Sequence, residues 1–515
     1  MNLKGSGLYI ILLISAAFLT YFNTLAGEFT TEDHYIITGN PFIGDFRNAP
    51  VLFDLRNLFN PVPITVGARP MTVFSLMADH VFWGENPRGY RFTNIILHSV
   101  CGILVFLTLG AMKISREVSF LGALIFTLHP INAEVVNVPG FRGELLVTAF
   151  YLSCFIILLY LFNNRVSVKK TALLGILSAV FLLFALTAKE IAATFPVLFL
   201  VLLALKPGKN LKLNPVLKPL GGGLLVSSFL YVIFFWMRRY SYNMFQTVFV
   251  SIPGGVRPFD SLLAYFNTIF VTFYMYMRNI FFPFFLSYEY QITIDRITAA
   301  SVFGALAAAA VIFILFKTTD RKLKISLLFF IITYLPVSNI IPLHNTLSDR
   351  YMYLPLAGAV YAVFRLAALL SGPVVKKLRF LIPGVRPGYL AVLFFIVLLN
   401  GLTFNRNFRF LNTLGLYEHS YKHAPQNPRA GYNLGLAYSE NGLYEDSNRV
   451  LFELNDRNPR YAAPRVWHIL ARNFLMMGNP EKSASYLKKT ALLNPTREII
   501  DELRFVLETG GLKQL

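Results

Sequence analysis

The chain has 515 residues, of which 55% are hydrophobic and 14% charged, against about 25% charged in a soluble protein. A water-soluble fold of this length has no interior large enough for so much apolar surface, so the composition excludes an ordinary globular enzyme. The formal charge of +20 does not argue for nucleic acid: the lysines and arginines gather in short loops between apolar runs, where membrane topology and lipid headgroups account for them.

Runs long enough for a helix to cross a hydrocarbon core of roughly 30 Å predict spans at 8–26, 92–112, 118–130, 144–162, 171–187, 190–205, 221–238, 298–316, 325–342, 351–371 and 388–404. Allowing for the ambiguous stretch 260–286, this makes about 11–13 crossings of an all-α, polytopic domain covering 1–404. The first run follows Lys4 and lacks a small-residue cleavage site, so it reads as a retained span. Basic loops at Lys113 and Arg116, 165–170, 206–218, 317–324 and 376–386 are expected in the cytoplasm. That leaves the first loop, 27–91, and the segments 131–143 and 344–350 on the outer face. The count puts both flanks of 260–286 on one side, so that stretch is either a broken, re-entrant hairpin or a sign that the count is off by one. Of the 16 acidic residues in the first 404, 14 fall on or near the outer face, Glu117 and Asp320 being the exceptions, so carboxylate chemistry belongs outside. Cys101 and Cys154 both lie within apolar runs, which argues against a disulfide framework or a cysteine zinc site.

Beyond the last span, 405–515 has the composition of a soluble helical module. Leu434, Gly435, Tyr438, Gly442, Tyr444, Ser447, Leu451 and Pro459 stand at tetratricopeptide-repeat spacing. A second copy supplies Trp467, Leu470, Ala471, Phe474, Gly478, Ser483, Leu487 and Pro495. A half-repeat at 411–428 and a capping helix near 496–509 complete the expected stack, an α-solenoid that needs caps or the membrane domain for stability. By the crossing count it lies on the outer face, placed to grip a protein.

The first outer loop, "GEFTTEDHYIITGNPFIGDF", sets Glu32 and Asp33 just beyond the membrane, where a carboxylate can take a proton from an attacking hydroxyl. A lone loop carboxylate is ordinarily just solvated; here the company on the same face shifts the balance. Arg69, His129, Arg142, Glu144, Lys189, Glu190, Asp349 and Arg350 fall at or near outer ends of spans, where ionisable groups are costly and tend to be functional. Arg142, Lys189 and Arg350 suit a phosphate anion. Taken singly, each is equally well read as an anchor snorkelling to the interface, and His129 as a helix-end hydrogen-bonding group. No zinc-protease, P-loop or dinucleotide signature occurs, and the 49 phenylalanines read as lipid-facing or packing residues.

Five segments, "FTTEDHYIITGNPFI", "RPMTVFSLMADHVFWGENPRGYRFTNIILH", "FTLHPINAEVVNVPGFRGELL", "ALTAKEIAATFP" and "LSDRYMYLPLAGAVY", followed by the repeats, resemble in that order the multi-pass GT-C-type glycosyltransferases. Among these they resemble most the transmembrane and tetratricopeptide repeat-containing O-mannosyltransferases and their bacterial relatives. The resemblance implies an acidic base in the first outer loop; Asp33 is the closer match and Glu32 replaces the family's other aspartate. Arg142-Gly143-Glu144 stands at the family's Gly-Arg-Ala-Asp-like loop, with an acid one methylene longer, which leaves the sugar open. It further implies a polyprenyl-phosphate sugar as donor, its phosphate held by Arg142, Lys189 or Arg350, and inverting transfer to a hydroxyl, with Ser or Thr of a protein as the acceptor. Mannose or another hexose fits. No cofactor is required; a divalent metal is compatible but not expected. The implied partners are membrane lipid, the lipid-linked sugar, and an acceptor protein or glycan on the repeats, with no nucleic acid. Short loops and a compact tail suggest a bacterial inner membrane with site and repeats facing the periplasm. The alternatives are a non-catalytic scaffold displaying its repeats, or a lipid- or glycan-modifying transferase of the same fold. A transporter is disfavoured, since charges collect at span ends and no inverted repeat is visible.

Overall fold

In a computed structural model the molecule is all helical, with residues 5–54, 69–164, 166–205, scattered positions within 221–231, 261–343, 345–378, 387–459 and 463–510 described. Within 367–378 and 387–391 the description is of the backbone alone. The expected span 221–238 and the basic run 206–218 lie largely or wholly outside the described residues, as does His344.

Helix starts follow the local chemistry. Pro70, Pro87, Pro428 and Pro480 each occupy the first helical position, where a missing N–H goes unmissed and the fixed φ already suits a helix. Ser115 and Ser167 cap the Arg116–Leu128 and Val168–Ala188 helices, and a reciprocal Thr298–Ser301 box opens Ala299–Lys317. Among the described residues five helices are long and apolar enough to cross a membrane: Gly7–Ala26, Pro87–Ala111, Pro139–Asn163, Val168–Ala188 and Ala299–Lys317. The bent pair Arg116–Leu128 and Pro130–Asn137, meeting at 45°, adds a sixth when taken as one span. The other expected spans fall on shorter helices, Phe195–Ala204 and Arg321–Tyr334, or on Tyr353–Leu378 and Pro387–Asn407, whose side chains are only partly described. The chain is a multi-pass membrane protein.

Of the two readings left open for 260–286, the broken hairpin is excluded and the crossing count is left off by one, because the structure has one continuous helix there, Leu262–Phe281. Its amide and hydroxyl side chains tie it to neighbouring segments at both ends: Tyr265 donates to the Ile340 carbonyl (2.8 Å) and Asn279 to Asp349 Oδ1 (3.1 Å). The main core gathers the faces of Pro87–Ala111, Arg116–Leu128, Arg142–Asn163, Arg321–Tyr334 and the start of Tyr353–Leu378, with Phe126, Tyr151, Phe155 and Tyr353 at most 1% exposed.

The repeats form as the spacing predicts. Pro428–Glu440 pairs with Tyr444–Arg457, Ala463–Met476 with Pro480–Leu493, and Arg497–Thr509 caps the stack. Gly442 and Gly478, both at positive φ, turn the chain between the helices of each pair. Gly435 lets the paired helices meet, because a Cβ there would lie 2.5 Å from Leu451 Cδ2. Ser447 donates its hydroxyl to the Gly435 carbonyl across the same contact (2.6 Å). Gly435→Val is therefore expected to destabilise the repeats by about 1–3 kcal/mol through overpacking, read as a lower melting temperature of the purified chain; an unchanged melt would show that the pair relaxes freely.

Candidate active site

The first loop leaves the membrane at Gly27, where a side chain would collide with the buried guanidinium of Arg91: a Cβ at this position would lie 2.6 Å from Arg91 Cζ. Arg91 donates to the carbonyls of Glu28 (2.5 Å) and Phe410 (2.8 Å), and the Glu28 N–H donates to the Leu411 carbonyl (2.8 Å). Thr31 takes the left-handed conformation, φ 52°, a strained choice for a β-branched residue. Just beyond that turn stand two carboxylates with different surroundings. Asp33 is fully buried and bridges two loops: Oδ1 accepts from the Gly140 N–H (2.7 Å) and Oδ2 from the Thr30 N–H (3.0 Å). Burial pushes its carboxyl up to about 7, against the pull of those two amides and Arg91. Glu32 remains half-buried, accepts from the Tyr288 hydroxyl (2.7 Å) and lies 3.9 Å from Arg429. Burial raises its carboxyl, but Arg350, Tyr288 and Arg429 together hold it below the usual carboxylate range.

The remaining expected residues, His129 apart, are brought into ion pairs, each joining distant segments. Arg142 is fully buried. It pairs with Asp79 (2.5 Å) and donates to Asn94 (2.8 Å), the Ser75 carbonyl (3.1 Å) and the Tyr90 carbonyl (3.0 Å), so none of its three nitrogens is left open to a phosphate. Lys189 pairs with Glu144 beside the Tyr351 ring. Arg69 grips Glu190 in a fork (2.8 and 3.2 Å) and stays 29% exposed at its side chain. Arg350 pairs with buried Glu134 (2.5 Å) and stacks 4.1 Å over Phe141. Asp349 accepts from Arg406 (2.7 Å), Tyr290 (2.8 Å) and Asn279 (3.1 Å), and burial pushes its carboxyl up to about 6. His129 serves as a helix-end hydrogen-bonding group: Nδ1 accepts from the Ile131 N–H (3.1 Å) and Nε2 donates to the Ile280 carbonyl (2.9 Å).

Glu32, Asp33, Glu134, Asp349 and Arg350 thus converge near one another, while Arg142–Asp79, Lys189–Glu144 and Arg69–Glu190 form three further pairs. Residues that sequence reasoning misses complete the centre: Tyr288, Glu289 and Tyr290 after the Leu262–Phe281 helix, Arg406 at the end of Pro387–Asn407, and Arg429 of the first repeat. Glu289 is buried and its carboxyl is pushed up to about 7 by burial, opposed chiefly by Arg429. The one available signal is "SYEYQ", an acid flanked by tyrosines just past an apolar run. Among the described residues no group of three or more His, Cys, Asp or Glu is set to hold a metal.

The raised carboxyls carry a stability consequence. Asp33, Glu289 and Asp349 bind protons more tightly folded, with values near 7, 7 and 6, than unfolded, near 4. Stability from them is full below about pH 4 and falls as pH rises toward 7, because the native state then holds more protons than the unfolded one. The detergent-solubilised protein should melt at higher temperature at pH 5 than at pH 7.5, by differential scanning fluorimetry; the reverse order would show that these groups do not govern the melt.

Fold and site together define a multi-pass, all-helical membrane protein with a helical-repeat tail and an acid-and-arginine centre. No family model matches the chain. A Caenorhabditis elegans protein O-mannosyl-transferase is 26% identical over 469 residues, 88% of this chain and 63% of that protein. Human protein O-mannosyl-transferase TMTC4 is 25% identical over 73% of this chain and 56% of its own length, and a Drosophila melanogaster O-mannosyl-transferase is 32% identical over 35% of this chain and 20% of its own. The resemblance read from the sequence motifs is met by these relatives, of which the chain spans less than two thirds. A crystal structure of ArnT from Cupriavidus metallidurans bound to undecaprenyl phosphate aligns with 95% of this chain and 81% of its own at 13% identity, with a TM-score of 0.35, too loose a likeness to bear on fold or function.

Proposed function

We propose that the protein is a GT-C-type glycosyltransferase that moves mannose or another hexose from a polyprenyl-phosphate donor to a hydroxyl, with Ser or Thr of a protein as the acceptor. The observation that carries this reading is the juxtaposition of a half-buried carboxylate, Glu32, with the partly exposed guanidinium groups of Arg350 and Arg429. The acceptor O–H gives its proton to the carboxylate as its oxygen attacks the anomeric carbon. The bond from that carbon to the phosphate oxygen breaks with inversion, and the lipid phosphate leaves as an anion stabilised by arginine.

On this reading Glu32 takes the proton and Asp33 braces the loop, the reverse of the order that the motif suggests. Both Asp33 oxygens already accept backbone N–H groups and the residue is sealed from solvent, whereas Glu32 reaches the open side. Arg350 and Arg69 are the cations best placed for phosphate, being partly exposed, with Lys189 beside them. Residues 1–404 would form the transferase unit and 405–515 the acceptor-facing repeats, on the periplasmic face of a bacterial inner membrane, with no metal needed.

One observation favours a second reading: among the described residues Arg69, Arg142, Lys189, Arg350, Arg406 and Arg429 each already have a carboxylate partner, an arrangement that also suits a scaffold that only displays repeats. Transfer from polyprenyl-phosphate mannose, and from a panel of other lipid-linked sugars, to Ser/Thr peptides in nanodiscs separates the two. Product formation establishes the transferase, and silence with every donor moves the weight to the scaffold.

A further inference from the structure

The repeat module enters the centre through one side chain. Arg429 lies in the first turn of Pro428–Glu440, where its N–H donates to the cap residue Asn427 (2.9 Å). A cation at that end opposes the helix macrodipole, so its position must be fixed by something outside the helix. Its Nε lies 2.9 Å from Glu289 Oε1 and its Nη2 3.9 Å from Glu32 Oε1. The Glu289 side chain is 4% exposed, and Oε1 is buried without a hydrogen bond, so Arg429 is the contact that compensates its charge. The adjoining Tyr288 donates to Glu32 Oε2 (2.7 Å) and packs edge-on against Tyr417 of the preceding repeat helix, centroids 6.0 Å apart. Around this core, Asn427 donates to the Tyr290 carbonyl (2.7 Å) and Gln291 to Gln426 (2.9 Å). Base loop, Tyr288–Tyr290 and first repeat form one joint.

We propose that Arg429 is a positioning residue for Glu32: by holding Glu289 it fixes Tyr288, which aims the Glu32 carboxylate, so the first repeat is a working part of the site and stays docked through turnover. This rests on the transferase reading above. The test uses the full chain in nanodiscs with the polyprenyl-phosphate sugar that the wild type turns over. Arg429→Ala should lower kcat by about 10–100-fold, the effect of a misplaced reacting group, with donor KM within about twofold; Arg429→Lys should recover part of the loss. Linking Gln291→Cys to Gln426→Cys with a short bis-maleimide should leave the rate at that of the same double variant before linking. Arg429→Ala at the wild-type rate, or a linked protein that no longer turns over, would overturn the proposal. The linking yield provides a readout independent of activity: it should fall several-fold in the Arg429→Ala background, and an unchanged yield refutes the joint even if the wild type proves to transfer no sugar.

Discussion

Glu32→Gln should lower sugar transfer by about 10²–10⁴-fold, the span expected for removal of a general base, while leaving the melting temperature within a degree or two. The amide keeps one oxygen to accept from Tyr288, whose hydroxyl lies 2.7 Å away, so the loop keeps its anchor and loses only its proton acceptor. Asp33→Asn should behave differently. Its two oxygens face two backbone donors, Gly140 and Thr30, and an amide nitrogen in either place sets donor against donor. That leaves a buried N–H without a partner, at about 1–3 kcal/mol, so activity and melting temperature should fall together. Measuring both quantities on both variants assigns the roles: full activity in a well-folded Glu32→Gln protein would remove Glu32 from the chemistry.

The second large effect is structural. Arg142→Ala should destabilise the membrane domain by about 3–5 kcal/mol, the range for stripping one partner from a buried ion pair, and most of the protein should fail to accumulate as a folded monodisperse species in size-exclusion chromatography. The loss is compounded because Asn94 Oδ1 loses its donor, the helix carbonyls of Ser75 and Tyr90 each lose a second one, and Asp79 keeps only the Thr93 hydroxyl. Replacing both ends, Arg142→Met with Asp79→Leu, removes the orphaned charge but leaves Asn94 Oδ1 without its donor, so recovery should be partial. A normal yield of Arg142→Ala would mean that water or another donor satisfies this cluster.

The features legible in the sequence are those set by neighbours in the chain. Helix starts at Pro87 and Pro428, the repeat positions Gly435 and Ser447, and the apolar length of Arg142–Asn163 all depend on residues a few places away. The candidate site residues can be named as chemistry but not as partners. Arg69 and Glu190 lie 121 residues apart in sequence, and Arg350 and Glu134 lie 216 apart, so no spacing rule joins them. The bracing role of Asp33 is hidden for another reason: its partners are backbone N–H groups, which every residue but proline carries. Glu289 and Arg429 escape notice because one lies among aromatics without a motif and the other among the ordinary surface charges of a repeat helix. The Leu262–Phe281 stretch stays undecided between a hairpin and a miscount because a crossing count sees only which side its flanks take, whereas its continuity is set by uninterrupted backbone hydrogen bonding.

Among the described residues Arg69, Lys189, Arg350 and Arg429 each pair with a carboxylate from another part of the chain, so on the transferase reading a lipid phosphate would find none of these four vacant. On that reading it would bind by anion exchange: a phosphate oxygen would take the place of a carboxylate oxygen on Arg350 or Arg69, and the displaced Glu134 or Glu190 would be left to find a proton or another donor. Such a centre would discriminate against the bulk anionic phospholipids around it, since only a ligand whose sugar and chain add further contacts would displace the resident carboxylate. It would also eject the spent lipid phosphate readily, because the resident would return as soon as the sugar had gone.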